Sequence, residues 1–202
     1  MSIPLAPARP VLADRVLPRV LRRSRSRSLA VDSGLVLAGA ALTAGLAQVS
    51  IPLWPVPITG QTLAVLLVGA SLGAARGTIS MAVYAVAGVL GAPVFSEHAA
   101  GLAQLLGPTG GYIVGFLPAA ALTGWLAQHR LERRLVSGLL AFVAGSVVVF
   151  LIGLPWLRAS LDLTWAQTLT SGLLPFVIGG LIKAAIAAAV LRGAWSLVAR
   201  AR

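Results

Sequence analysis

Gly172-Leu-Leu-Pro-Phe-Val-Ile-Gly-Gly-Leu-Ile-Lys183-Ala-Ala-Ile-Ala-Ala-Ala-Val-Leu191 is a twenty-residue apolar run with a single ionisable side chain. A run of this length is what a helix needs to cross a hydrocarbon core of roughly 30 Å. Lys183 sits near its centre, about 16 Å from one end and about 12 Å from the other at about 1.5 Å per residue. Its stem is too short to carry the ammonium to the headgroups. A cation at that depth is costly and by default marks a ligand or ion site. The same stretch therefore points to a membrane protein and singles out one residue as functional.

The rest of the 202-residue chain agrees. It is 58% hydrophobic and only 10% charged, with no cysteine, whereas soluble domains carry about 25% charged residues. Six apolar segments follow one another, over 33–50, 59–75, 77–91, 109–128, 135–154 and 173–192. The expected fold is an all-α integral membrane protein, a bundle of six transmembrane helices over 33–198. Residues 1–32 read as a basic, mostly disordered tail.

The net charge of +11 is distributed in a way that excludes nucleic acid as a partner. Arg9, Arg15, Arg19, Arg22, Arg23, Arg25 and Arg27 precede the first apolar segment, Arg130, Arg133 and Arg134 form a second cluster, and Arg192, Arg200 and Arg202 close the chain. Placing the tail in the cytoplasm puts fourteen of the 16 basic residues on that side, Arg76 included. Arg158 falls outside and Lys183 within the membrane. By the positive-inside rule, both termini are expected in the cytoplasm. Arg22-Arg23 ahead of an apolar stretch imitates a twin-arginine signal, but cleavage there would leave a product that is still almost wholly apolar.

The external connections are expected to be apolar and rigid, as lids over a pocket. The first, Ile51-Pro-Leu-Trp-Pro-Val-Pro-Ile-Thr59, has prolines at 52, 55 and 57, which forbid a regular helix. The second runs from Gly91 to Gly107. The third, over 155–171, carries Trp156 and Trp165, residues suited to the bilayer interface.

Nothing in the sequence suggests catalysis. There is no Gly-x-x-x-x-Gly-Lys-Ser/Thr loop, and no Ser–His–acid set at membrane depth. His98 and His129 fall on opposite sides of the membrane and cannot share a metal. Active transport would need an energy source in another chain or a gradient.

Two stretches carry the candidate binding residues. Gly179, Gly180 and Ala187 share a face with Lys183, leaving a strip with little side-chain bulk. Such a strip fits either close helix packing or a flat ligand lying against backbone with the ammonium as its anchor. At the start of the fourth segment, Thr109 can cap a helix whose free N–H groups at Gly110 and Gly111 face a ligand, with Tyr112 adding a ring and a hydroxyl. The bland reading is an ordinary helix start. In the first segment, the small residues Ala40, Ala41, Ala44 and Gly45 permit close approach of another helix, from the same bundle or a partner.

Five blocks of the chain, in order, resemble the BioY family, the substrate-binding S components of energy-coupling factor (ECF) biotin transporters. They are Ala47-Gln48 leading into Ile51-Pro-Leu-Trp-Pro-Val-Pro-Ile-Thr-Gly-Gln-Thr-Leu-Ala64, then Tyr84-Ala-Val-Ala-Gly-Val-Leu-Gly-Ala-Pro-Val-Phe95, Gly107-Pro-Thr-Gly-Gly-Tyr-Ile-Val-Gly-Phe116, Pro175-Phe176 ahead of Lys183, and Gly193-Ala-Trp195. The resemblance implies a six-helix protein of a bacterial or archaeal plasma membrane. It would bind biotin near the outer side and dock on a transmembrane coupling subunit driven by two ATPase subunits, with no cofactor of its own. It also implies that Thr59, Gln61, Tyr84 and the Gly110-Gly111-Tyr112 block belong to the pocket, and that the small residues of the first helix face the coupling subunit. An S component for another vitamin is the alternative.

The chain departs from the family pattern Pro-Phe-x-x-Gly-Asp-x-x-Lys at one place. Gly180 stands where that pattern has the acid, three residues before Lys183. The ammonium is then expected to find a water or a backbone carbonyl instead.

Overall fold

Each of the six apolar segments is a helix, although their limits and lengths differ from the sequence expectation. The structure, a computed structural model, describes residues 10–16, 25–129 and 135–200. The arginines at 9, 19, 22, 23, 130, 133, 134 and 202 lie outside the described residues. In chain order the helices are α1 (Leu12–Val16), α2 (Arg25–Ala47), α3 (Gln61–Leu72), α4 (Ala74–Val89), α5 (Leu102–Leu106), α6 (Gly110–Gln128), α7 (Leu135–Leu161), α8 (Trp165–Gly172) and α9 (Leu174–Arg200). Between α2 and α3, β1 (Ser50–Ile51) and β2 (Ile58–Thr59) pair antiparallel.

Four helical stretches among the described residues are long and apolar enough to cross a membrane: Ser26–Ala47, Gly110–Gln128, Val136–Leu161 and Trp165–Arg200. They display large apolar side chains outward, including Leu37, Trp125, Leu151 and Ile178, all more than half exposed. In water that surface would aggregate; in lipid it is the solvent-compatible face. The protein is a multi-pass membrane protein. α3 and α4 are shorter, at 12 and 16 residues, and 12 residues rise only about 18 Å.

Small residues bring α3, α4 and α6 close together. A Cβ on Gly69 would lie 2.2 Å from Thr123 Oγ1, one on Gly77 2.9 Å from the Gly69 Cα, and one on Gly124 2.3 Å from the Ala74 nitrogen. With no hydrophobic drive between helices in lipid, this close contact supplies the packing attraction. Gly73, at φ 88°, makes the break between α3 and α4, a conformation a Cβ disfavours.

Three sequence expectations change here. First, the first long helix begins before residue 33: α2 starts at Arg25, and Leu12–Val16 forms a short helix ahead of it. Second, Arg76 is not in a loop: it lies in the first turn of α4, 1% exposed, within 2.9 Å of both Asp14 on α1 and Asp32 on α2. Those two carboxylates compensate a cation that would otherwise be prohibitively costly to bury. Third, the expected loop over 155–171 is mostly helix. α7 runs through Pro155 to Leu161, and α8 starts at a Thr164–Gln167 capping box. The backbone bond lost at Pro155 is offset by packing, since Leu157 is fully buried and Trp156 lies against Gly111.

Candidate functional site

α3, α6, α7 and α9 leave a pocket of about 680 Å³, counting its open mouth. The hairpin residues Val56 and Pro57 and the segment at Phe95–Ser96 border it. Among the described residues, Lys183 is the only charged one lining it.

Lys183 reaches from α9 to the start of α3. Its Nζ donates to the Thr59 backbone carbonyl at 2.6 Å and to Thr62 Oγ1 at 3.2 Å. An ammonium has three donors, so one remains for a ligand. The Thr59 carbonyl is free for this role because the hairpin ends there and α3 begins at Gln61. Gly180 also lines the pocket, and nothing lies within 4 Å of a Cβ built on it. The place beside the lysine is therefore open space, and a backbone carbonyl serves as the ammonium's partner.

Gln61 is the second polar element of the inner pocket. Its Oε1 accepts from Thr59 Oγ1 at 2.6 Å, and its Nε2 donates to the Tyr84 hydroxyl. Tyr84 is 1% exposed and stands behind Gln61, so its part is to orient that amide. Phe95 packs edge-on to Tyr84, with centroids 5.6 Å apart.

Aromatic rings form the opposite wall. Tyr112 stacks on Phe176 at 6.4 Å and meets Phe150 edge-on at 6.1 Å. Its hydroxyl donates to the Gly172 carbonyl at 3.0 Å, which ties α6 to the end of α8. Such a wall suits a flat, apolar ligand body.

The structure thus brings Lys183, Gly180, Thr59, Gln61, Thr109 and Tyr112 to one pocket. Gly110 and Gly111 do not line it. A Cβ on Gly110 would meet the Leu105 carbonyl oxygen at 1.6 Å, and one on Gly111 would meet Trp156 Cβ at 2.2 Å. The Gly110 N–H already donates to the Gly107 carbonyl. These glycines allow close packing. Thr109 makes no side-chain cap and instead accepts from Gln104 Nε2 at 3.1 Å. Gly179 lies off the pocket, and Ala187 is packed in the core with Ala184, Ala188 and Leu191.

On α2 the four small residues divide. Ala40 and Ala44 pack into the bundle core, while Ala41 and Gly45 are exposed. Only the latter two are placed for an outside partner.

Thr62, Ser96, Gln104, Ser146, Phe150 and Phe176 also line the pocket and escaped the sequence reading. Gln104 and Ser146 shared one detectable signal, as isolated polar residues in apolar helices.

Residues 21–200 match the BioY family. This chain belongs to the BioY family. Biotin transporter BioY2 of Lactococcus lactis subsp. cremoris is 35% identical over 135 residues, 67% of this chain and 74% of that protein. The probable biotin transporter BioY of Pyrococcus horikoshii is 39% identical over 128 residues, covering 63% and 75%. Among solved structures, the S-component for biotin from an ECF-type ABC transporter, a crystal structure at 2.1 Å, matches with a TM-score of 0.76 at 26% identity. That match covers 84% of this chain and 92% of the other. BioY relatives are named transporters, and the pocket described here holds no catalytic constellation among its lining residues.

Proposed function

We propose that this BioY-family chain captures biotin as the S component of an ECF-type transporter. The observation that carries the reading is Lys183, held at the pocket floor by the Thr59 carbonyl with one donor free. Two of its three N–H groups are occupied, which suits a single carbonyl oxygen such as that of a ureido ring. Burying a neutral ureido group costs less than burying a carboxylate. The bicycle therefore lies inward between Lys183, Gln61 and the Tyr112–Phe176 wall, and the valeryl chain runs toward the mouth.

In this account all six apolar helices cross the bilayer, with the tilted or short α3 and α4 flanked by the hairpin, and both termini face the cytoplasm. Residues 33–198 form the binding bundle, and the basic segment 1–32 lies at the cytoplasmic face of a bacterial or archaeal plasma membrane. A transmembrane coupling subunit docks on the exposed α2 face carrying Ala41 and Gly45, and two ATPase subunits drive release inward. No cofactor is needed beyond the transported biotin.

Equilibrium binding of labelled biotin to the purified chain tests the reading. Saturable one-to-one binding that unlabelled biotin displaces and thiamine and lipoate do not is the expected result. Displacement by another vitamin but not by biotin would assign the pocket to that ligand.

A further inference from the structure

Outside the inner pocket lies a second space of about 760 Å³, open to solvent. The two share Pro57, Ser96, Gln104 and Thr109, so a ligand chain leaving the inner pocket at this side enters the outer one. The charge of this vestibule is the opposite of the floor. Among the described residues, Glu97 is the one ionisable side chain lining it, and no cation does. Among the described residues near this end, Arg158 instead sits over the Trp165 ring at 5.1 Å, and His98 lines neither space.

Glu97 is held in position. It and His98 both take φ 58°, which is uncommon for residues other than glycine. Gln48 at the end of α2 pins the segment. Its Nε2 donates to the Phe95 carbonyl at 3.0 Å, and its Oε1 accepts from the His98 N–H at 3.0 Å. The strained turn keeps Ser96 at the passage between the two spaces and Glu97 in the outer one. Strain of this kind persists only where surrounding contacts enforce it.

We infer that the vestibule is a tail subsite that accepts uncharged or ammonium-bearing amide derivatives of the ligand acid at least as well as the free carboxylate. This rests on the biotin reading given above. A free carboxylate emerging there meets Glu97 and no cation. An amide can instead donate to and accept from Ser96, Gln104 and Thr109, and an ammonium at the end of a longer tail gains Glu97 as a partner. Because Glu97 is exposed, its effect is short-ranged and salt-screened.

The test is competition against labelled biotin on the full-length detergent-solubilised chain at a fixed pH. The competitors are biotin, its primary amide, and its amide with ethylenediamine, which ends in an ammonium. The primary amide should bind as tightly as biotin or more tightly. The ammonium-ended amide should bind roughly three- to tenfold tighter than the primary amide at low salt, an advantage lost near 1 M salt and in Glu97→Gln. Biotin binding with both amides thirtyfold or more weaker would overturn the subsite alone and place the carboxylate at Lys183. An ammonium advantage unchanged in Glu97→Gln would also overturn it. If biotin itself fails to bind, the underlying reading falls, and the inference with it.

Discussion

Gly180→Asp should tighten biotin binding about tenfold. Gly180 and Lys183 stand three residues apart on α9, so their side chains project from the same face about one turn apart. Nothing lies within 4 Å of a Cβ at 180, and a carboxylate enters without displacing a neighbour. It gives the ammonium an anionic partner and offers a ureido N–H an acceptor that the native pocket lacks at this place. A hydrogen bond to a charged group contributes about 1.5–3 kcal/mol, and desolvating the new carboxylate cancels part of that. A net gain of roughly 1.4 kcal/mol corresponds to the tenfold change. Calorimetric titration of the wild type and of Gly180→Asp, Gly180→Asn and Gly180→Ala separates the contributions. Asn supplies an acceptor without charge and should gain less, while Ala fills space without an acceptor and should gain nothing. Equal affinities for the Asp and Ala variants, or weaker binding by Asp than by wild type, would refute the placement of the ligand's polar ring beside Lys183.

Lys183→Met should weaken biotin binding by about ten- to a hundredfold, the equivalent of a charge-assisted hydrogen bond, while the unfolding midpoint in detergent changes little; titration and a thermal scan read both. Tyr112→Phe removes the bond to the Gly172 carbonyl but keeps the stacked rings, so stability should fall by about 0.5–1.5 kcal/mol and affinity by less than threefold. Arg76→Met removes the buried ion pairs to Asp14 and Asp32 and should cost about 3–5 kcal/mol, with Asp32→Asn costing less, as measured by denaturant unfolding. Gly111→Ala, which forces a Cβ against Trp156, should lower stability by about 1–3 kcal/mol and leave the affinity of the remaining folded protein near wild type.

The helices were legible because apolar runs of membrane length have few alternatives, and Lys183 because a cation inside such a run is conspicuous. The partners of charges were not. Asp14 and Asp32 lie in a basic, polar stretch that carries no apolar period, and only the tertiary approach of α1 and α2 to α4 reveals their pairing with Arg76. Pro155 misled for a related reason: proline ends helices in water, yet the packing of Trp156 and Leu157 carries α7 past it. Gly110 and Gly111 show an ambiguity inherent to glycine, since exposed N–H groups and close packing use the same residue. Tyr84 was recognisable as part of the site region, but its place behind Gln61 depends on how α4 crosses α3. The carbonyl of Thr59 as the lysine's partner has no side-chain signature at all.

The proposed selection of biotin by this pocket rests on Lys183. Native mass spectrometry of the detergent-released chain, incubated with an equimolar mixture of biotin, dethiobiotin, lipoate and thiamine, tests it most directly. A single adduct at the mass of one biotin, strongly diminished in Lys183→Met at the same concentrations, is the predicted result. An adduct at the mass of another component, or a biotin adduct undiminished in Lys183→Met, would contradict it.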